Sequence, residues 1–180
     1  MSWYYQNKRN LPWRKTKNPY YIWISEVILQ QTTIKQGIPY YKKFISQYPK
    51  LKSLAETKEE NVLKLWQGLG YYSRARNLHF TSKLILKKYK GIFPSSYDEL
   101  IKLKGIGDYT ASAIGSMAFD LPLAAIDGNI FRFFSRYFGI KKSIDNSKSL
   151  KYFKNKSCKL MYKENPGDYN QALMEFGSEI

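Results

Sequence analysis

Two carboxylates stand in surroundings that could make them chemical. Glu26 lies in Ile22-Trp23-Ile24-Ser25-Glu26-Val27-Ile28-Leu29, flanked almost wholly by apolar residues. A carboxylate held among such groups has a raised pKa and can act as a general acid. The alternative is a helix-surface glutamate with apolar neighbours in sequence only, and taken alone that alternative leads. Asp127 follows Leu121-Pro122-Leu123-Ala124-Ala125-Ile126 and precedes Gly128-Asn129 and a helical run. Aspartate is a good N-cap, and a capping carboxylate can still face a site.

Other segments have the chemistry of anion and base contacts. In Leu103-Lys104-Gly105-Ile106-Gly107, two glycines lie two apart between an apolar helix end and a new helix start. They permit a tight turn with positive φ and a close backbone approach to a partner. Unpaired N–H groups at the following helix N-terminus suit a phosphate, which positions DNA without reading its sequence. An ordinary αα-turn has the same pattern. Gly68-Leu69-Gly70-Tyr71-Tyr72-Ser73-Arg74-Ala75-Arg76 combines rings that can wedge into or stack on bases with arginines that can bind phosphate. Its tyrosines could equally pack on the core. Gln30-Gln31-Thr32-Thr33 closes a helix, where glutamine amides can read base edges or simply end the helix.

Helices must position these groups. Asn18-Pro19 reads as an N-cap followed by proline at the first helical position. Thr57-Lys58-Glu59-Glu60 and Ser96-Tyr97-Asp98-Glu99 read as capping boxes. Small apolar residues from Tyr109 to Phe119 predict a tightly packed central helix. Further helices are predicted over 127–137 and 169–176, the last capped by Asp168. Residues 141–157 are polar and Lys-rich, a surface connection or exposed helix. Nothing alternates as a strand, so the fold class is all-α. Thirty Lys and Arg against fourteen Asp and Glu give +16 over 180 residues. Such a charge repels itself unless a polyanion offsets it, although an AT-rich genome also yields Lys- and Asn-rich chains. One cysteine, Cys158, and one histidine, His79, exclude an internal disulfide and disfavour a Cys/His zinc site. No apolar run reaches membrane-spanning length and no signal-peptide pattern opens the chain, so the cytoplasm is the expected location.

The chain closely resembles the MutY-type adenine DNA glycosylases of the helix-hairpin-helix superfamily. The resemblance rests on Leu11-Pro12-Trp13-Arg14, Ser25 to Thr32, Gly68 to Asn77, Lys104 to Ala111, Asp127-Gly128-Asn129 and Tyr169-Asn170-Gln171-Ala172, in order over nearly the whole length. It implies a two-lobed helix-hairpin-helix fold. A six-helix lobe is expected over 12–122, and a second over 1–11 plus 123–180. It implies Glu26 as the acid that protonates the adenine leaving group and Asp127 as the carboxylate stabilising an oxocarbenium-like sugar. It implies Asn129 as support for the acid, Arg14 as a pocket residue and Tyr71 as the wedge in the duplex. Gln31 and Thr32, beside Gln30, match the loop facing the opposite-strand purine. Gly70, Arg74, Lys104, Gly105 and Gly107 complete the expected DNA contacts. Tyr109 stands where the endonuclease III branch has a Schiff-base lysine, which implies a monofunctional glycosylase; thymine glycosylases acting on G·T mismatches also carry tyrosine there.

Three departures from the family follow. The four-cysteine iron–sulfur loop that relatives carry after the segment resembling 169–180 is not among the given residues, which implies a truncated chain or a lineage without the cluster, and no cluster is expected on these residues. No segment of the given residues resembles the NUDIX-like domain that reads 8-oxoguanine in the family, so no reading by such a domain is expected of them. Lys104 replaces the usual hairpin proline. The resemblance implies a nucleoid-associated monomer whose partner is duplex DNA with adenine mispaired to guanine or 8-oxoguanine. Thymine removal from G·T mismatches and DNA binding without catalysis are the alternatives.

Overall fold

A computed structural model describes residues 1–141, 143 and 146–179 of the chain. Among these residues every regular element is helical. Residues 142, 144 and 145 of the Lys-rich stretch, and the final residue 180, lie outside the described ones. The chain forms two compact units, one of residues 11–111 and one of residues 1–10 with 112–180. The boundary at 111–112 falls inside a helix rather than in the connection at 122.

The first unit holds α2 (Pro19–Leu29), α3 (Ile34–Gln47), α4 (Leu51–Glu56), α5 (Glu59–Trp66), α6 (Ser73–Lys88), α7 (Tyr97–Leu100) and the first turn of α8 (Asp108–Phe119). A short 3-10 turn at Pro12–Lys15 precedes α2. Helix α2 starts as the sequence predicts: the Asn18 side chain accepts from the Tyr20 N–H at 3.0 Å, and Pro19 takes the first position. Every residue from Ile22 to Ile28 is buried, so the middle of α2 has no solvent face. Trp23, Ile24, Ile28, Phe44, Leu54, Val62, Trp66, Leu78 and Leu100 build the core around it. Edge-on ring contacts, Trp23 on Phe93 at 5.3 Å and Phe44 on Trp66 at 6.1 Å, lock the pieces together. Ser96 caps α7 as expected. Thr57 does not cap α5: that helix begins one residue later, after Lys58, and Thr57 instead accepts from the Asn61 amide at 3.3 Å.

The second unit holds α1 (Ser2–Asn7), the rest of α8, α9 (Gly128–Tyr137), α10 (Ser147–Leu160) and α11 (Pro166–Glu179). Its core gathers Ala124, Ile126, Ile130, Phe134, Phe153, Met161 and Tyr169. Helix α11 begins before the expected position, and its start is capped by Asn165, which accepts from the Asp168 N–H at 3.2 Å. Asp168 is thus a first-turn residue and not the cap. The N-terminal segment is fastened to α11. Arg9 donates from Nε and Nη2 to the two carboxylate oxygens of Glu175 at 2.6 and 2.8 Å, and its N–H adds a third bond. Trp3 packs edge-on against Phe176 at 4.9 Å.

Asn170 on α11 is the polar centre of this unit. It is fully buried, and its amide donates to the Ser116 hydroxyl at 2.9 Å and the Leu123 carbonyl at 2.8 Å. Its oxygen accepts from the Ala125 N–H at 3.2 Å. The extended residues before Asp127 are therefore hung on one side chain. Asn170→Ala removes the partners of the Ala125 N–H and the Leu123 carbonyl, each worth about 1–3 kcal/mol, while the Ser116 hydroxyl keeps its bond to the Ala113 carbonyl. A loss of at least about 2 kcal/mol in denaturant unfolding is expected.

Candidate active site and nucleic-acid interface

Glu26 occupies the middle of α2 and is 8% exposed, among Trp23, Ile22 and Val27. The surface-glutamate alternative therefore fails. With every residue from Ile22 to Ile28 buried, the carboxylate is enclosed by the packing that buries its neighbours.

Helix α2 ends at Leu29, and Gln30 follows as its C-cap. Gln31 turns the chain with φ +54°, and the Thr32 hydroxyl donates to the Gln30 carbonyl at 3.2 Å. Across from this loop lies the one carrying Gly70, at φ +71°, and Tyr71, at φ +47°. Tyr71 is 66% exposed, so it projects from the core instead of packing on it. Arg74 joins the two loops. Its Nη1 donates to the carbonyls of Val27 at 2.9 Å, Ile28 at 3.1 Å and Gln30, and its Nη2 lies 3.3 Å from the carbonyls of Leu69 and Gly70. The guanidinium also lies over the Trp66 and Tyr71 rings, at 5.3 and 5.6 Å. Burial lowers its pKa from the ordinary value. The arginine expected to hold a phosphate is thus engaged with backbone carbonyls. Arg76 pairs with Glu59 at 3.4 Å on the surface.

The hairpin forms between α7 and α8 with lysine in place of proline. Leu103 and Ile106 are its buried anchors. The Ile106 N–H closes onto the Leu103 carbonyl at 3.0 Å, and the Thr81 hydroxyl holds the Lys104 carbonyl at 2.7 Å. Gly105 has φ +81°, and a Cβ there would meet the Asn77 Cβ at 2.8 Å. Both conformation and approach exclude other residues. Gly107 differs from the expectation: its φ is not positive and a side chain there would enter open space. The tyrosyl hydroxyl of Tyr97 bonds Asp108 at the start of α8, tying the two hairpin helices together. Burial first, then Asp108, pushes the Tyr97 phenol up to about 12. Lys104 is exposed, its ammonium 5.0 Å from the Phe80 ring. A cavity of about 140 Å³ opens beside the hairpin, lined by Trp23, Gln30, Arg74, Asn77 and Lys104 among others.

In the second unit Asp127 is the N-cap of α9, as its sequence position predicts. Its Oδ1 accepts from the Ile130 N–H at 2.8 Å, and its Oδ2 accepts from the Asn129 amide at 2.7 Å. Asn129, expected to support Glu26, makes this bond within its own turn. Desolvation raises the Asp127 pKa above its ordinary value and outweighs the opposing hydrogen bonds from Ile130 and Asn129. A Cβ on Gly177 would lie 2.3 Å from the Asn129 carbonyl oxygen, so α11 presses its backbone against this turn.

Arg14 lies in the 3-10 turn before α2, and Tyr109 is the second residue of α8; both are partly buried. Sequence reasoning gave no role to Asn77, Phe80 or Asn170. A buried asparagine and a surface one look alike in a helical run, and only the fold separates them. Among the described residues no group of three or more His, Cys, Asp or Glu gathers to hold a metal. A four-thiolate cluster does not fit these residues, whose single cysteine, Cys158, is exposed on α10. No described helix is long and apolar enough to cross a membrane.

Comparison with known proteins follows the same lines. The adenine DNA glycosylase of Buchnera aphidicola subsp. Acyrthosiphon pisum (strain APS) is 44% identical over 181 residues, covering all of this chain and 52% of that protein. The mouse adenine DNA glycosylase is 38% identical over 189 residues, again covering all of this chain but 37% of the relative. The chain thus spans about half or less of the length of these curated relatives. The structure of a thermostable thymine-DNA glycosylase superposes with a TM-score of 0.90 at 27% identity, covering 99% of this chain and 82% of that one. An endonuclease III–DNA covalent intermediate superposes at 0.83, covering 99% and 81%; at 24% identity it speaks to the fold alone. The family model for HhH-GPD superfamily base excision DNA repair proteins matches residues 24–158, three quarters of the chain, and the chain belongs to that superfamily.

Proposed function

We propose that this chain is the glycosylase core that hydrolyses the N-glycosidic bond of adenine mispaired with guanine or 8-oxoguanine in duplex DNA. The observation that carries the reading is the buried Glu26 carboxylate at the centre of an apolar helix. The names of the curated relatives support adenine as the base. In this reading the adenine leaves the stack, at a cost of a few kcal/mol that a mismatch reduces. Glu26 gives its proton to the departing base as the bond to the sugar breaks. Asp127, held by Ile130 and Asn129, faces the positive charge that develops on the sugar. Water then adds to the anomeric carbon, and Glu26 takes up the proton it loses. Tyr109 cannot form a Schiff base, so the strand stays intact and the activity is monofunctional. Arg14 lines the base pocket and Tyr71 wedges the duplex. Gln30, Gln31 and Thr32 face the opposite purine, and Lys104, Gly105 and Gly107 contact phosphate. The protein acts as a monomer.

Single-turnover assays on 8-oxoguanine·A, G·A and G·T duplexes test the reading. Abasic product is expected from the first two, with Glu26→Gln slower by at least about 100-fold. Product from G·T alone would favour the thymine reading, which Tyr109 and the thymine-DNA glycosylase structure support. Tight duplex binding with no base release would leave a DNA-binding module.

Two further outcomes follow from the charges. Each phosphate contact contributes about one unit to the slope of log binding constant against log salt, so Lys104→Ala is expected to lower that slope by about 1. Asp127 titrates higher in the folded chain than when unfolded, because burial penalises its ionised form. The stability it contributes is therefore present at low pH and is lost as pH rises through the raised native value. Asp127→Asn lacks that loss. It should melt above wild type at pH 8, with the gap narrowing toward pH 4, while losing base release. A gap that widened on acidification would contradict this account of the pKa.

A further inference from the structure

Arg74 is the cation that the sequence assigns to phosphate, yet its two terminal nitrogens are occupied inside the fold. Nη1 reaches Val27, Ile28 and Gln30 at the end of α2; Nη2 reaches Leu69 and Gly70 in the neighbouring loop. No other side chain described above bonds both segments. On each segment the next residue departs from ordinary backbone: Gln31 stands at φ +54° and Tyr71 at φ +47°. Such left-handed conformations cost energy in non-glycine residues and persist only where the surroundings fix them. The guanidinium also covers the Tyr71 ring at 5.6 Å, so it touches backbone and side chain of the exposed tyrosine's loop. The planar fork of arginine is what this task needs, since it can direct two nitrogens at two carbonyl groups at once.

We propose that Arg74 is a positioning residue that couples the Gln30–Thr32 loop to the Tyr71 loop, so that the two strained segments meet DNA as one preset element. The proposal rests on the DNA-facing roles given above to Tyr71 and the glutamine loop. It removes Arg74 from the phosphate contacts. A lysine at 74 keeps the charge but not the fork, and it leaves some of the five carbonyls unbonded.

Two measurements test this. The first is amide hydrogen exchange on the wild-type chain and Arg74→Lys, read over 28–32 and 68–72. In wild type the two segments should open together, with protection factors matched within about threefold. Arg74→Lys should loosen both and leave α4 and α10 unchanged. Protection differing by more than about tenfold in wild type, or loosening of one segment alone, overturns the coupling. The wild-type arm stands even if the variant does not fold.

The second is single-turnover adenine release from a G·A duplex by wild type, Arg74→Lys, Tyr71→Ala and the double variant, with duplex binding measured across a salt series. Arg74→Lys should slow release about tenfold or more with the salt slope unchanged. The double variant should be no more than about twofold slower than the slower single one, because both changes disable one element. An unchanged rate, or multiplicative effects with a slope reduced by about 1, would return Arg74 to the phosphate contacts. If wild type releases no adenine, the adenine reading falls, and hydrogen exchange alone decides the coupling.

Discussion

The last carbonyls of a buried helix have no partners within it, and in the interior each is as costly as a lost hydrogen bond. Helix α2 meets this constraint at its C-terminal end, where the buried residues Ile22 to Ile28 run almost to its last turn. Arg74 supplies the missing donors at one end and Asn18 receives an N–H at the other. The rest of the first unit follows from this. Glu26 lies about one turn before the capped end, so a cap that fixes the axial position of α2 also fixes the carboxylate. Because the donor comes from the first turn of α6, the same bonds set where that helix begins and where Tyr71 stands.

The distribution of charge has a matching logic. Against thirty cations the chain has fourteen acidic residues, and three of those are buried or bonded within the fold. Glu175 is buried on a two-pronged bond with Arg9, Glu26 is buried in α2, and Asp127 is bonded at both oxygens. Lysines meanwhile are mostly exposed. The outward field is therefore more positive than the composition alone suggests, which suits a phosphate backbone as partner.

Local chemistry made some of this legible in the sequence and tertiary packing hid the rest. Asn18, Ser96 and Asp127 are caps because their side chains reach N–H groups two or three residues on, a relation visible in a single segment. Gly105 was readable for the same reason. Thr57 and Asp168 have the right residue types but the helices start elsewhere, α5 after Lys58 and α11 after Asn165. Burial of Glu26 followed from the apolar run only once the middle of α2 was known to lack a solvent face. The carbonyl contacts of Arg74 were not legible in the sequence because a surface arginine and an interior one have the same sequence signature, and its acceptors Val27 and Ile28 lie more than forty residues away. Asn170 was hidden likewise, its partners lying 45 to 54 residues off.

Asp127 shows how a structural group can be kept chemically ready. Capping requires only an acceptor, and an asparagine would do as well. Yet both carboxylate oxygens here are bonded, and those bonds would normally pull the pKa down. The net displacement is upward, so desolvation outweighs them. A carboxylate so placed is poorly compensated when ionised in the resting protein. A positive charge forming beside it would recover part of that missing solvation, and would do so without reorienting the group, since the cap already fixes it. The enclosure that makes Asp127 a costly cap is thus the condition under which it stabilises a cationic sugar in the proposed reaction more strongly than an exposed carboxylate could.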